Sequence, residues 1–196
     1  MLKWFFSLIG LLFLALFAVL GGVFWVFWTY GQELPDYSQL ARYEPPVATR
    51  IHAGNGALLA EFATQKRVFV PTKAIPPILI DAFLSAEDKS FYSHVGVDPV
   101  ALARAVVTNV AALGTGRRPI GASTITQQVA KNFLLTNELS IDRKIKEAIL
   151  AIRMERAFSK DQILALYLNE IYLGAGSYGV AAAALNYFDK ALDQLE

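Results

Sequence analysis

Across residues 4–32 the chain carries no formally charged side chain. As a helix rising about 1.5 Å per residue, that run reaches roughly 40 Å. This exceeds the hydrocarbon core of a bilayer, about 30 Å thick, and tilt absorbs the excess. A cleaved signal peptide is the competing reading, but its apolar region spans about 7–15 residues and ends at a small-residue site. Here the run continues into Val23-Phe24-Trp25-Val26-Phe27-Trp28. Residues 1–32 are therefore read as a short stub and a retained membrane anchor. Lys3 precedes the span while Glu33 and Asp36 follow it, so the positive-inside tendency puts the N-terminus in the cytoplasm and the rest of the chain outside. Trp25, Trp28 and Tyr30 fall near the outer end, where aromatic rings suit the headgroup layer.

With the anchor set aside, 196 residues leave room for one globular domain of ordinary size. A formal charge of +1 provides no basic footprint for nucleic acid, so no nucleic-acid partner is expected. The absence of cysteine excludes disulfide scaffolds, cysteine-based zinc sites and thiol nucleophiles. His52 and His94 lie too far apart in sequence for a local metal motif.

Residues 33–74 read as a linker and a small β region. Segments 47–52 and 57–62 flank Gly54-Asn55-Gly56 and predict a β-hairpin, and a third short strand is expected at 67–70. Pro76-Pro77 marks a change to helical periodicity that persists through 75–196. The body is mainly α.

Four polar clusters stand in that helical body. In the first, Glu87 and Asp88 follow the apolar face formed by Ile78, Leu79, Ala82, Phe83 and Ala86. A carboxylate there can be partly desolvated and its pKa raised toward that of a general base; solvation of a helix end is the competing reading. In the second, Ser123 as a helix cap would put Gln127 and Lys131 on one face at i and i+4, with Gln128 beside Lys131. Such a wall of amides, hydroxyls and an ammonium suits a diphosphate or a sugar, and an exposed polar helix face is the alternative. The loop 114–121, with Arg117 and Arg118, could bring further positive charge. In the third, Arg143 and Lys144 pair with Glu147 at i+4 and i+3, with Lys146 adjacent. Ile141, Ile145, Ile149 and Ile152 predict a buried stripe on the same helix. The fourth opens with a Ser159-x-x-Gln162 capping box and places Ile163, Tyr167 and Ile171 on one face, first of all a structural helix. Gly174-x-Gly176-x-x-Gly179 matches a dinucleotide-loop pattern, but no βαβ unit surrounds it, so no nucleotide cofactor is expected. Helix termination at Gly174 and close packing of the alanine-rich 180–185 explain these glycines better.

Taken in order, Glu87-Asp88-x-x-Phe91-x-x-His94-x-Gly96, Gly121-x-Ser123-Thr124-Ile125-Thr126-Gln127-Gln128-x-x-Lys131-Asn132, Arg143-Lys144-x-x-Glu147 and Lys160-x-x-Ile163-Leu164-x-x-Tyr167-Leu168-Asn169 resemble motifs one to four of glycosyltransferase family 51. This family forms the glycan-polymerising part of class A penicillin-binding proteins. Tyr178-Gly179-Val180-Ala181 and Tyr187-Phe188-Asp189-Lys190 resemble the fifth motif, departing from it at Gly176-Ser177, where many members carry an arginine, and at Asp189, where glycine is frequent.

The resemblance implies a lysozyme-like glycosyltransferase domain facing the outer side of the bacterial cytoplasmic membrane. Its implied substrates are lipid II and the lipid-linked growing glycan, with the membrane and cell-wall synthesis proteins as partners. It implies Glu87 and Glu147 as the catalytic carboxylates, Glu87 as general base and Glu147 with the cations at the departing diphosphate. Ser123, Thr124, Gln127, Gln128, Lys131, Asn132, Arg143, Lys144 and Lys146 would bind substrate. It also implies a divalent cation, Mg or Mn, with Asp88 as candidate ligand. A serine transpeptidase domain accompanies this part in class A proteins. Neither S-x-x-K nor K-T-G occurs in these residues, and the glycosyltransferase domain is expected to be truncated at its C-terminus. A lysozyme-like hydrolase using two carboxylates and a non-catalytic anchored scaffold are the rival readings.

Overall fold

The structure is a computed structural model that describes residues 2–32, 34–43, 49–56, 58–62, 66–136, 138 and 140–195. Helix α1, Leu2–Gly31, contains nearly all of the uncharged run, with Lys3 in its first turn. Its stretch Ile9–Gly31 is long and apolar enough to cross a membrane, and its most apolar window is not buried against the rest of the described residues.

Strands β1 (Thr49–His52) and β2 (Leu58–Phe62) form the antiparallel hairpin expected from Gly54-Asn55-Gly56, with a register shift between Ile51 and His52. Val47, Ala57 and Glu33, as well as Glu44-Pro45-Pro46, lie outside the described residues. The third strand is displaced from expectation: β3 is Lys66–Arg67, paired in parallel with β4, Ser177–Tyr178. It stops short of Val70 for a visible reason. The Asn169 side chain accepts from the Val70 amide at 2.8 Å and donates to the Val70 carbonyl at 2.9 Å, taking both groups a ladder would need. Asn169 also donates to the Ala165 carbonyl at 2.8 Å and is buried. Replacing Asn169 with leucine should therefore orphan the two Val70 groups and lower stability by about 1–3 kcal/mol, a loss measurable by thermal unfolding.

The rest is helical: α2 Pro77–Glu87, α3 Pro99–Ala111, α4 Ile125–Leu134, α5 Ile141–Ala157, α6 Lys160–Glu170 and α7 Val180–Phe188. Helix α4 packs on both α5 and α6. Ile125, Val129 and Ala130 of α4 meet Leu150 and Met154 of α5, Ile163, Leu164 and Leu168 of α6, and Val180, Ala181 and Ala184 of α7 in one core. The capping box Ser159–Gln162 opens α6 as expected, with Ile163 and Tyr167 buried beneath it.

Two expectations need correction. The buried stripe of α5 runs through Glu147, Leu150, Ala151 and Met154, at i, i+3, i+4 and i+7. Of the isoleucines only Ile149 is buried, and Ile141 is 80% exposed. The apolar periodicity of the four isoleucines follows the helix repeat but sits to one side of the face that meets α4. Secondly, α6 ends at Glu170, before Gly174. Gly174 belongs to the tight turn that leads into β4, closed by Ser177 N–H to the Gly174 carbonyl at 2.8 Å and Leu173 N–H to the Ser177 carbonyl at 3.0 Å.

Asp98 caps α3, accepting from the amides of Val100 at 2.8 Å and Ala101 at 2.9 Å and from the Ser90 hydroxyl. The Ser90 bond first, then the Ala101 amide, hold its carboxyl below the ordinary 3.8. A lowered folded pKa means that the carboxylate contributes stability above the unfolded value and loses it as pH falls through the folded one. Wild-type protein should thus lose melting temperature below about pH 3.8 more steeply than Asp98→Asn, in which this site no longer titrates.

Candidate active site

Glu87 is the last residue of α2 and is exposed. Its Oε2 accepts from Gln128 Nε2 at 2.8 Å, so the carboxylate is oriented yet reachable. Burial, and then the Glu87 charge, hold the Tyr167 phenol above its ordinary range, which keeps it protonated beside the carboxylate.

Asp88, next in sequence, faces inward and is buried. Its Oδ2 accepts from the Ile125 amide at 3.0 Å and lies 2.9 Å from His94 Nε2. The Gly96 amide donates to His94 Nδ1 at 3.0 Å, so the imidazole hydrogen is assigned to Nε2, pointing at Asp88. Gly96 itself adopts φ +97°, and a Cβ there would stand 2.6 Å from the Ala151 backbone, so the loop of the first cluster lies directly on α5.

The cap of α4 is Thr124, not Ser123. Thr124 accepts from the Gln127 amide at 3.2 Å, Gln127 Oε1 accepts from the Thr124 amide at 2.9 Å, and the Thr124 hydroxyl donates to the Gly96 carbonyl at 2.6 Å. Both side chains are buried and engaged in this capping box, so they build the wall rather than face a ligand. The one-residue shift leaves Gln128 and Lys131 facing outward. With Ala86, Glu87, Gly121 and Ser123 they line an open cavity of about 350 Å³. Asn132 is exposed and lies outside that lining.

Helix α5 adds the third cluster. Glu147 is almost fully buried and pairs with Lys144, while Arg143 Nε lies 3.1 Å from Glu147 Oε1 but off line for a hydrogen bond. Lys144 Nζ also donates to Ser123 Oγ at 2.8 Å, linking α5 to the cavity's rim. Lys146 is half-buried and lines neither this cavity nor the next.

A second cavity of about 230 Å³ shares Ala86, Glu87, Gly121 and Ser123 with the first and is lined by residues of α2, α3 and the segment leading into α4. Lys89, Ser90, Arg104 and Thr108 line it together with Ser123. Sequence reasoning missed Arg104, although a single charge in the otherwise uncharged α3 was a readable signal. It also missed Glu155, whose carboxylate accepts from Lys160 Nζ and Thr126 Oγ1, each at 2.6 Å. Lys160 further donates to the His94 carbonyl at 2.8 Å and sits 4.5 Å above the Phe91 ring. The fourth cluster is thus a brace that fastens the first cluster's loop to α4 and α5.

Among the described residues no group of three or more His, Cys, Asp or Glu side chains could hold a metal ion. Asp88 has one carboxylate oxygen committed to His94 and the Ile125 amide, which makes it a poor seat for the divalent cation that the resemblance implies.

A mainly helical domain of lysozyme-like build, following an apolar helix and offering an exposed carboxylate at two cavities, one walled by amide and ammonium groups, defines a class: lysozyme-like domains with a carboxylate exposed in a cleft. The particular family is transglycosylase, which residues 55–196 match, and the chain belongs to it. Penicillin-binding protein 1A of Rickettsia felis is 54% identical over 187 residues, covering 93% of this chain and 24% of that protein. The Aquifex aeolicus protein of the same name is 48% identical over 164 residues, 84% of this chain and 22% of its own length. That of Escherichia coli K12 is 45% identical over 175 residues, 89% and 20%. The chain spans about a quarter or less of the relatives it matches.

Proposed function

We propose that this chain is a peptidoglycan glycosyltransferase that polymerises lipid II into β-1,4-linked glycan outside the cytoplasmic membrane. The observation that carries the reading is the position of Glu87: oriented by Gln128, exposed, and set between a cavity with an ammonium wall and a second cavity containing Arg104. Two cavities meeting at one carboxylate suit a reaction that joins two sugars. Glu87 takes the proton from the acceptor's 4-hydroxyl as that oxygen attacks the anomeric carbon of the lipid-linked donor. The bond from that carbon to the diphosphate oxygen breaks in the same displacement, so an α-diphosphate gives a β-glycoside. Lys131 and Lys144 hold the departing undecaprenyl diphosphate, and Glu147 fixes Lys144 and Arg143 in place. Ser123 and Gln128 complete the donor wall.

Work at a lipid surface is supported by α1 and by α3, on which Val100, Leu102, Val106, Val107 and Val110 are all at least half exposed. An apolar face of this kind suits contact with lipid. A hydrolase would need the carboxylate but not the cationic wall. Labelled lipid II incubated with the purified protein in detergent should give glycan chains resolvable by gel electrophoresis. Shortening of preformed glycan without chain growth would select the hydrolase instead.

A further inference from the structure

The end of the anchor is fastened to the helix that carries the third cluster. Arg153 of α5 donates to the Gly31 carbonyl at 2.9 Å, capping one of the carbonyls that the last turn of α1 leaves without a partner. The Tyr30 hydroxyl donates to Asp142 at 2.9 Å, in the first turn of α5. Two neighbouring residues of α1 therefore grip α5 at points eleven residues apart, about 16 Å along its axis. At 100° per residue, Asp142 and Arg153 share one face to within about 20°, whereas Lys144 and Glu147 lie about 200° and 140° round the helix from Asp142. One face of α5 meets the anchor, and the opposite half presents the ion group and reaches Ser123.

We infer that Asp142 and Arg153 are positioning residues that make a rigid joint between anchor and active site, setting the height of the cationic wall above the membrane. The inference rests on the glycosyltransferase reading for its purpose. A diphosphate on a membrane lipid lies at the headgroup layer, a shell about 5–8 Å deep on each side of the hydrocarbon core. The thickness of α5, about 10 Å with its side chains, separates Lys144 and Glu147 from the face that meets the anchor's last turn. A two-point joint holds that offset, where a flexible linker would let the cleft sample many heights.

The test uses the double variant Asp142→Ala/Arg153→Ala in the full chain, which removes both the acceptor for Tyr30 and the donor to Gly31. Two substrates are compared: lipid II embedded in phospholipid vesicles, and a water-soluble disaccharide-peptide diphosphate on a short prenyl chain. The expected result is a vesicle rate lowered about tenfold or more, within what misplacing reacting groups by about 1 Å costs, with the soluble-substrate rate within about twofold of wild type. Equal loss on both substrates, or loss on neither, overturns the joint. A second measurement separates this from failure of the glycosyltransferase reading. The chain has no cysteine, so Arg156→Cys on the exposed end of α5 takes a single spin label. In vesicles the label should hold one depth in the otherwise wild-type chain and spread over several in the double variant. An unchanged depth distribution overturns the joint even if no substrate is turned over.

Discussion

Replacing Glu87 with glutamine is expected to lower glycan polymerisation by about 10²-fold or more, the usual contribution of a positioned general base. The fold should not change. Glu87 is exposed and makes one side-chain hydrogen bond, to Gln128, and a glutamine amide oxygen can still accept it. A loss of rate with an unchanged melting temperature would assign the loss to chemistry. Gln128→Ala gives the internal control, since it frees the carboxylate without removing it, and its effect should be the smaller of the two. Full activity in Glu87→Gln would remove Glu87 from the reaction and with it the proposed mechanism. The neighbouring Asp88→Asn should behave in the opposite sense: it weakens the tie from α2 to His94 and the α4 amide, so its activity loss should come with a lower melting temperature. These two adjacent acids look alike in sequence, and the geometry separates them.

That contrast shows how far the sequence could be read. The long apolar N-terminal helix, the hairpin, the helical body and the α6 capping box were all legible because each rests on local pattern: charge exclusion, glycine turn chemistry and the helix repeat. Which side of a residue faces a cavity depends on a single position in the cap. Moving the cap from Ser123 to Thr124 drew Gln127 into the buried capping box and left Gln128 and Lys131 facing the cavity. A one-residue shift rotates a helix's assigned faces by about 100°, and both Ser and Thr are good caps. The isoleucine stripe of α5 failed similarly, because the face meeting α4 includes Glu147, which an apolar count passes over. The long-range ties are a different matter. Asn169 to Val70, Lys160 to His94 and Lys144 to Ser123 join residues that only the tertiary fold brings together. No local periodicity encodes those pairs, although the residue types at each end stood in the motifs.

Glu147→Ala is the second large effect expected, and it should appear in stability as well as rate. Glu147 is 1% exposed and lies between Arg143, whose side chain is 13% exposed, and Lys144, at 49%. Removing one member of a buried ion pair costs about 3–5 kcal/mol because the other is left uncompensated. Lys144 is half in water and can turn outward, so the lower end, about 3 kcal/mol, is expected here. For a domain of this size each kcal/mol moves the melting temperature by about 2–4 °C, so thermal unfolding should show a fall of about 6–12 °C. Rate should fall too, since Lys144 released from Glu147 no longer holds Ser123 at the cavity rim. Glu147→Gln discriminates between the two losses. It fills the same space and can still accept from Lys144, so it should recover part of the stability. It leaves Arg143 and Lys144 with no compensating charge, and a wall more cationic by one unit should hold the departing diphosphate more tightly and slow its release. Equal activity in Glu147→Gln and wild type, with stability lost only in Glu147→Ala, would make Glu147 a packing residue and leave the cations to act without it.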